Sequence, residues 1–153
     1  MKHVHPEDFE SVPDELTQKL FSKLQNHAIS KMMQFTIDAV RKGYCNMALE
    51  YREEVTNGVR SKGTVHGGIV ATLVDTAAAF ALSTYFDGQM SFATVQLNIN
   101  YLARAQSRIN AHAQVIRRGS RINVVDVDVF DADNKPVAKA TLNFILTKPM
   151  EVK

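Results

Sequence analysis

The 153-residue chain has the length of one ordinary domain, and its 45% apolar and 22% charged residues suit a globular fold with one sizeable core. Its formal net charge of +2, with basic and acidic residues interspersed, argues against a general nucleic-acid-binding or membrane-surface protein. Cys45 is the only cysteine, which excludes an intrachain disulfide and a cysteine-based zinc site. A lone thiol and a first segment without a secretory pattern lead us to expect a cytoplasmic protein.

The first part of the chain predicts a helix followed by a β-hairpin. Ser11 is a candidate helix cap with an acid three residues later, and apolar residues then recur at every fourth position, as one helix face requires: Leu16, Leu20, Leu24 and Ala28. We therefore expect a helix near residues 13–28. From Met32 polar and apolar residues alternate, Arg41-Lys42-Gly43 interrupts the pattern like a turn, and Tyr44–Glu54 alternates again.

The longest apolar segment, Thr64–Phe86, predicts a buried helix. It follows a polar loop with two glycines at Thr56–Gly63, and Asp87-Gly88 closes it. Asp75 stands near its middle, and a charge at that place is costly inside a bilayer. We therefore expect a helix of the protein core and no membrane span.

Four further strands follow this helix, each with alternating apolar and polar residues: Phe92–Leu102, Ser107–Arg117, Arg121–Asp131 and Pro136–Thr147. In the first of them Thr94 belongs to the polar side, and the apolar side comprises Val95, Leu97, Ile99 and Tyr101. The element order predicts an α+β fold in which a single antiparallel sheet curls around the one central helix.

Asp75 is the only acid in Thr64–Phe86 and has no Lys or Arg three or four residues away. A buried carboxylate without a partner is unfavourable, so Asp75 either faces a polar cavity or meets a partner from another element or another subunit. On this pattern alone, a structural residue that reaches solvent explains Asp75 as well as a functional one does.

His66-Gly67-Gly68 precedes the apolar run and supplies a second signal. Two glycines at a helix start let another group approach exposed backbone N–H donors at the positive end of the helix dipole, which is a ready oxyanion hole. By itself the tripeptide also fits a tight turn with His66 as the helix cap. Because Gly67 lies eight residues before Asp75, the combination favours a functional site.

The segment VHGGIVATLVDTAAAFA resembles the hot-dog-fold thioesterases of the 4-hydroxybenzoyl-CoA and phenylacetyl-CoA thioesterase type. In that family His-Gly-Gly precedes an apolar helix with Leu two residues before a catalytic Asp or Glu, and Leu73 and Asp75 fit this pattern. The resemblance extends over roughly Gln34–Thr147, including the run ATVQLNINYLARA. It implies a hot-dog fold of about six antiparallel strands around one long helix, at residues 31–153, with residues 1–30 as an N-terminal helical extension.

The resemblance also implies roles for individual residues. His66 and Gly67 would orient and polarise the thioester carbonyl, with the Gly67 N–H as oxyanion donor and Gly68 beside it in the substrate site. Asp75 would activate water or attack the thioester carbon. Thr94 would hold the carboxylate or the water, although an ordinary strand threonine explains Thr94 as well.

Two further substrate contacts are expected. Relatives carry Asn or Gln six residues before the motif histidine, where this chain has Arg60, so Asn57 is the candidate for that role. A basic turn resembles one that relatives present to coenzyme A phosphates, a contact to which arginine is well suited: Arg117, Arg118, Ser120 and Arg121. A solvated hairpin turn would contain the same residues.

The resemblance implies hydrolysis of a small to medium acyl-CoA thioester by a homodimer that assembles to a tetramer. We expect no metal, no nucleic-acid or membrane partner, and no cofactor besides the coenzyme A of the substrate. The resemblance also implies that the site lies between paired subunits, with the glycines from one and the acid from the other. The helix geometry agrees, since eight helical residues separate Gly67 from Asp75 by roughly 12 Å. A dehydratase or hydratase with His66 as base, and a non-catalytic acyl-CoA binder or sensor, stay open as alternatives.

Overall fold

A computed structural model describes residues 4–58 and 62–147 of the chain. Within these ranges the α-helices are α1 (Asp14–Asn26), α2 (Ala28–Met33) and α3 (Gly67–Ser83). The strands are β1 (Thr36–Arg41), β2 (Tyr44–Leu49), β3 (Phe92–Tyr101), β4 (Ile109–Arg117), β5 (Ile122–Asp131) and β6 (Pro136–Leu146). Two short 3₁₀ helices lie at Pro6–Asp8 and Glu53–Val55.

The six strands form one antiparallel sheet in the order β1-β2-β4-β5-β6-β3. Strand β3 follows α3 in the chain and pairs with β6, so it lies at one edge of the sheet. Helix α3 contacts β2, β3, β4, β5 and β6. The predicted α+β hot-dog fold, a sheet around one long helix with an added N-terminal helix, is confirmed.

Helix α3 is buried because its side chains are small or apolar on nearly every side. Leu73, Val74, Ala77, Ala78 and Leu82 are fully buried. Alanines allow the helix axis to approach the sheet closely, and the larger apolar side chains then fill the space between neighbouring strands. Burying one Leu or Val stabilises the fold by about 1.5–3 kcal/mol, so α3 is held rigidly in place.

The predicted strand at Met32 is wrong at its beginning. Residues Ala28–Met33 instead form the one-and-a-half turns of α2, which Gln34 ends with a left-handed backbone conformation (φ 58°). Strand β1 therefore starts only at Thr36. A helix of six residues is too short to show a helical period in the sequence.

Three other boundaries also differ from the prediction. Ser11 does not cap α1, which begins at Asp14 directly after Pro13. Strand β2 stops at Leu49, and the chain turns into a 3₁₀ helix before Thr56. Helix α3 is shorter than predicted, because Val65 forms a β-bridge with Thr56 and the residues after Ser83 form turns.

The N-terminal helix α1 packs against the same core as the sheet and α3. Leu16, Leu20 and Leu24 belong to one continuous cluster with the buried residues of those elements. The Lys23 ammonium also donates a 2.7 Å hydrogen bond to the carbonyl of Gly88, just beyond α3. The first helix is thus anchored to the common core by apolar contacts and to the turn after α3 by a hydrogen bond.

Replacing Leu20 by Ala should destabilise the protein by about 2–5 kcal/mol, because a fully buried leucine would leave a cavity. The measurement is the free energy of unfolding in urea. Gln18→Ala on the exposed side of α1 is the matched control and should change it by less than about 0.5 kcal/mol. Equal effects of the two variants would mean that α1 is not part of the folded core.

Candidate active site

Asp75 lies on α3 where the helix faces β3, and it is half-buried. Its partner comes from that strand of the same chain, since the Thr94 hydroxyl donates a 2.8 Å hydrogen bond to Oδ1. Among the described residues, no group donates to Oδ2. The carboxylate opens into a recess of about 280 Å³, which is lined by Ala71, Thr72, Asp75, Thr94 and Leu97.

A β-bulge in β3 allows Thr94 to reach Asp75. The pairing of β3 with β6 shifts register between Thr94 and Gln96, so the strand alternation is interrupted at Val95. Thr94 and Leu97 consequently line the same recess, and the Val95 side chain is 58% exposed. The simple alternation expected from the sequence, with Val95 on the apolar side and Thr94 opposite, is wrong at this point.

His66 caps α3 with its side chain. Its Nδ1 accepts a 3.0 Å hydrogen bond from the backbone N–H of Gly68, and its carbonyl accepts from the N–H groups of Ile69 and Val70. A ring nitrogen that accepts a hydrogen bond carries no proton, so the neutral imidazole has its proton on Nε2. His66 is therefore prepared to donate a hydrogen bond through Nε2.

The Gly67 backbone N–H is the first donor of α3 and is left without an acceptor among residues 4–58 and 62–147. Gly67 borders an open cleft of about 400 Å³, which is lined mainly by apolar groups of the segments around Val65, Val70 and Leu102. An unpaired N–H at the positive end of a 17-residue helix suits a negatively charged oxygen.

Tyr101 also contacts the start of α3, which the sequence did not indicate. Its hydroxyl donates a 2.6 Å hydrogen bond to the Gly67 carbonyl, and a side chain at position 67 would meet its ring at 3.3 Å. In the sequence Tyr101 simply continues the apolar alternation of β3. The one available signal was its position at the end of the strand that also carries Thr94.

Asn57 lies close to the helix start along the backbone. The β-bridge between Thr56 and Val65 is extended by hydrogen bonds from the Asn57 N–H to the Thr64 carbonyl and from the His66 N–H to the Val55 carbonyl, 3.0 and 2.8 Å long. Arg60, at the position where relatives carry Asn or Gln, lies outside the described residues.

The basic turn between β4 and β5 lies at the opposite end of α3 from Gly67. The Arg118 guanidinium stacks over the rings of Tyr85 and Phe86, 5.1 and 5.8 Å from their centroids. Asn123 stabilises the turn, since its side-chain oxygen accepts a 3.1 Å hydrogen bond from the Gly119 N–H. The other predicted contacts are exposed: Arg117, Ser120 and Arg121.

The structure therefore brings some predicted residues together and separates others. Asp75 and Thr94 form one group, and His66, Gly67 and Gly68 form another at the helix start. Eight residues of α3 keep these groups roughly 12 Å apart along the helix axis. A single chain thus carries two incomplete halves of the predicted site.

The sequence pattern of the Thioesterase superfamily matches residues 62–138, which contain the helix start, α3 and Thr94. The chain belongs to this superfamily. The predicted family and a thioester hydrolase as the kind of enzyme are thereby confirmed.

The names and folds of individual relatives agree with this family. One relative, from Halobacterium salinarum, carries a provisional esterase name. It is 30% identical to this chain over 118 residues, a match that covers 76% of this chain and 78% of the relative. Human acyl-coenzyme A thioesterase 13 is 36% identical over 90 residues, 58% of this chain and 60% of the relative. The structure of the Escherichia coli PaaI protein has the same fold, with a TM-score of 0.79, 21% identity, and coverage of 90% of this chain and 97% of that one.

The other reactive side chains of the thioesterase form no second centre in the described residues. Cys45 is fully buried, and this burial raises the pKa of its thiol well above the ordinary value. His112 accepts or donates a 2.8 Å hydrogen bond with the buried Tyr44 hydroxyl. Within the described ranges no group of three metal-binding side chains converges, and no helix is long and apolar enough to cross a membrane.

Proposed function

We propose that this thioesterase hydrolyses acyl-CoA thioesters with a small to medium acyl group. The hydrogen bond from Thr94 to Asp75 carries the proposal, because it fixes one carboxylate oxygen at an open recess and leaves the other available. The recess at Asp75 and the cleft at Gly67, about 280 and 400 Å³, lie near the lower end of the volumes of small-ligand sites. The name of the human relative, an acyl-CoA thioesterase, agrees with this substrate class.

The complete site is proposed to form between two copies of the chain. Strand β3 lies at the sheet edge with Val95, Leu97 and Tyr101 all more than one third exposed, and such an edge is a template for pairing with a second strand. Twofold pairing would run two α3 helices in opposite directions and bring Gly67 of one copy to Asp75 of the other. We also propose that dimers assemble to tetramers in the cytoplasm.

In this arrangement the chemistry divides between the two copies. Asp75 removes a proton from water, or attacks the thioester carbon itself, and either route uses its carboxylate oxygen. The Gly67 N–H stabilises the oxyanion that develops on the carbonyl oxygen, and His66 Nε2 adds a second donor. Asn57 is proposed to orient the carbonyl from the adjoining loop.

The hydrogen bond of His66 favours hydrolysis over dehydration. A dehydratase would need this imidazole as a base, but its Nδ1 is already occupied by the Gly68 N–H, and Nε2 bears the proton of the neutral ring. The alternative function, acyl-CoA binding without turnover, would use the same recess. A turnover measurement distinguishes it from hydrolysis.

The basic turn is proposed to bind the phosphates of coenzyme A. About eight residues of α3, roughly 12 Å, separate Asp75 from the helix end near Arg118. A pantetheine arm has about four residue lengths of extended chain and spans roughly 14 Å. A thioester at Asp75 and phosphates at Arg118 of the same copy would therefore be within reach of one pantetheine arm.

Two variants should lower turnover strongly, for different reasons. Asp75→Asn removes the reacting carboxylate and should lower kcat by about 10²–10⁴-fold. Gly67→Pro removes the oxyanion donor and should lower kcat by about 10²–10³-fold. Position 67 is the first residue of α3, where proline is well tolerated, and His66 already has the extended conformation that precedes proline.

Thiol release from a panel of acyl-CoA esters measures these effects. Gly67→Ala keeps the N–H and is the matched control, with a much smaller loss than Gly67→Pro. Unchanged turnover in Asp75→Asn would remove Asp75 from the mechanism. Tight acyl-CoA binding by the wild type without any turnover would establish the binder instead.

Mixing the two inactive variants should restore activity if the site is shared. A hybrid dimer of Asp75→Asn and Gly67→Pro chains contains one intact site, with Gly67 from the first chain and Asp75 from the second. Random exchange after mild unfolding should return about a quarter of the wild-type activity, because half of the dimers are hybrid and half of their sites intact. No recovery, despite hybrid dimers detected by mass spectrometry, would contradict the shared site.

The coenzyme A contact can be separated from the chemistry by shortening the substrate. The double variant Arg117→Ala/Arg121→Ala should raise KM for an acyl-CoA about tenfold, because two cationic donors to phosphate are lost. KM for the same acyl group on pantetheine should not change. Lys135→Ala, an exposed cation in the β5–β6 turn, is the control, and an equal rise of KM for both substrates would contradict phosphate binding.

A further inference from the structure

The peptide group between Gly67 and Gly68 is held from both sides. Its carbonyl accepts the 2.6 Å hydrogen bond from the Tyr101 hydroxyl, and its N–H donates the 3.0 Å hydrogen bond to His66 Nδ1. A peptide between two glycines has unusual rotational freedom, because neither residue has a Cβ. In the first turn of α3, two hydrogen bonds at opposite edges of this planar group restrict that freedom further than the helix alone does.

From this geometry we propose that Tyr101 is a positioning residue for the oxyanion donor, an inference that rests on the proposed thioesterase function. The Gly67 N–H lies in the preceding peptide plane, which is joined to the Gly67–Gly68 plane by the two rotatable bonds at the Gly67 Cα. The carbonyl of that preceding plane accepts hydrogen bonds from the N–H groups of Ile69 and Val70. Because both planes are held, the Tyr101 hydrogen bond restricts the two torsions of Gly67 and with them the direction of the N–H. Stabilisation of an oxyanion depends on such preorganised donors.

The environment of Tyr101 argues against an ordinary buried hydrogen bond. Its side chain is 51% exposed in the single chain, so burial within its own chain does not force the hydroxyl onto the Gly67 carbonyl. The ring also packs against Gly67 at a distance that leaves only slight room for a Cβ. The ring and the hydroxyl of Tyr101 therefore both contact Gly67.

Tyr51 provides a matched comparison within the same chain. Its hydroxyl donates a 2.8 Å hydrogen bond to the carbonyl of Gly63, in the loop that leads to His66. The chemistry of the bond is the same, but the glycine lies before the helix and carries no proposed donor. Loss of this bond should affect stability without affecting the oxyanion.

The test compares Tyr101→Phe with Tyr51→Phe, since both keep the ring and lose one hydroxyl bond to a glycine carbonyl. With an acyl-CoA that the wild type hydrolyses, Tyr101→Phe should lower kcat about tenfold with KM within about twofold, as expected for a misplaced donor. Tyr51→Phe should leave kcat within about twofold. Unchanged kcat in Tyr101→Phe, or an equal loss in both variants, would overturn the positioning role.

Amide exchange gives a readout that does not depend on turnover. The chain has seven glycines, so [¹⁵N]glycine labelling yields a simple spectrum. Exchange of the Gly68 N–H should become roughly fivefold faster in Tyr101→Phe and stay unchanged in Tyr51→Phe, and unchanged exchange in Tyr101→Phe would overturn the proposal. Absence of turnover in the wild type would instead overturn the thioesterase function, and exchange would still decide whether Tyr101 holds the peptide.

Discussion

An α-helix advances about 1.5 Å per residue and does not fold back on itself, so a donor at its first residue never meets a side chain two turns later. Gly67 and Asp75 are subject to this constraint, and no movement of loops around α3 removes it. A reaction that needs a carboxylate and an oxyanion donor on the same carbonyl must therefore take one of them from elsewhere. The exposed edge at β3 supports the proposal that a second copy of the chain supplies the missing group.

Strand β3 contacts both parts of the proposed site within one chain. Thr94, near its beginning, binds Asp75, and Tyr101, at its end, binds Gly67. Because β3 is paired with β6 along its length, these two contacts are fixed relative to each other by backbone hydrogen bonds. Pairing of two such strands would set the distance between the donor of one copy and the acid of the other, so a rigid strand register would define the geometry of the shared site.

The sequence was sufficient to predict the regular elements of the structure. The buried helix follows from its long apolar run and the four later strands from their alternation, and Asp75 was conspicuous because α3 contains no partner for it. The bulge at Val95 was not predictable, since one extra residue changes the side of Thr94 without changing the composition of the strand. The contact of Tyr101 with Gly67 was missed for a related reason: hydrophobic alternation assigns a face but not a tertiary partner.

The features of the site are unfavourable for stability when each is considered by itself. Two glycines weaken the start of a helix, an acid interrupts its apolar surface, and a bulge disrupts a strand. A bulge by itself marks no site, because register shifts also interrupt the pairing of β1 with β2, of β4 with β5 and of β5 with β6. The features at α3 differ from these because they are joined by direct contacts. The bulge in β3 brings Thr94 to Asp75, and Tyr101 at the end of the same strand binds Gly67. Packing alone gives no reason for a helix acid, a bulge and two glycines to be connected by one strand, so their combination indicates a chemical role.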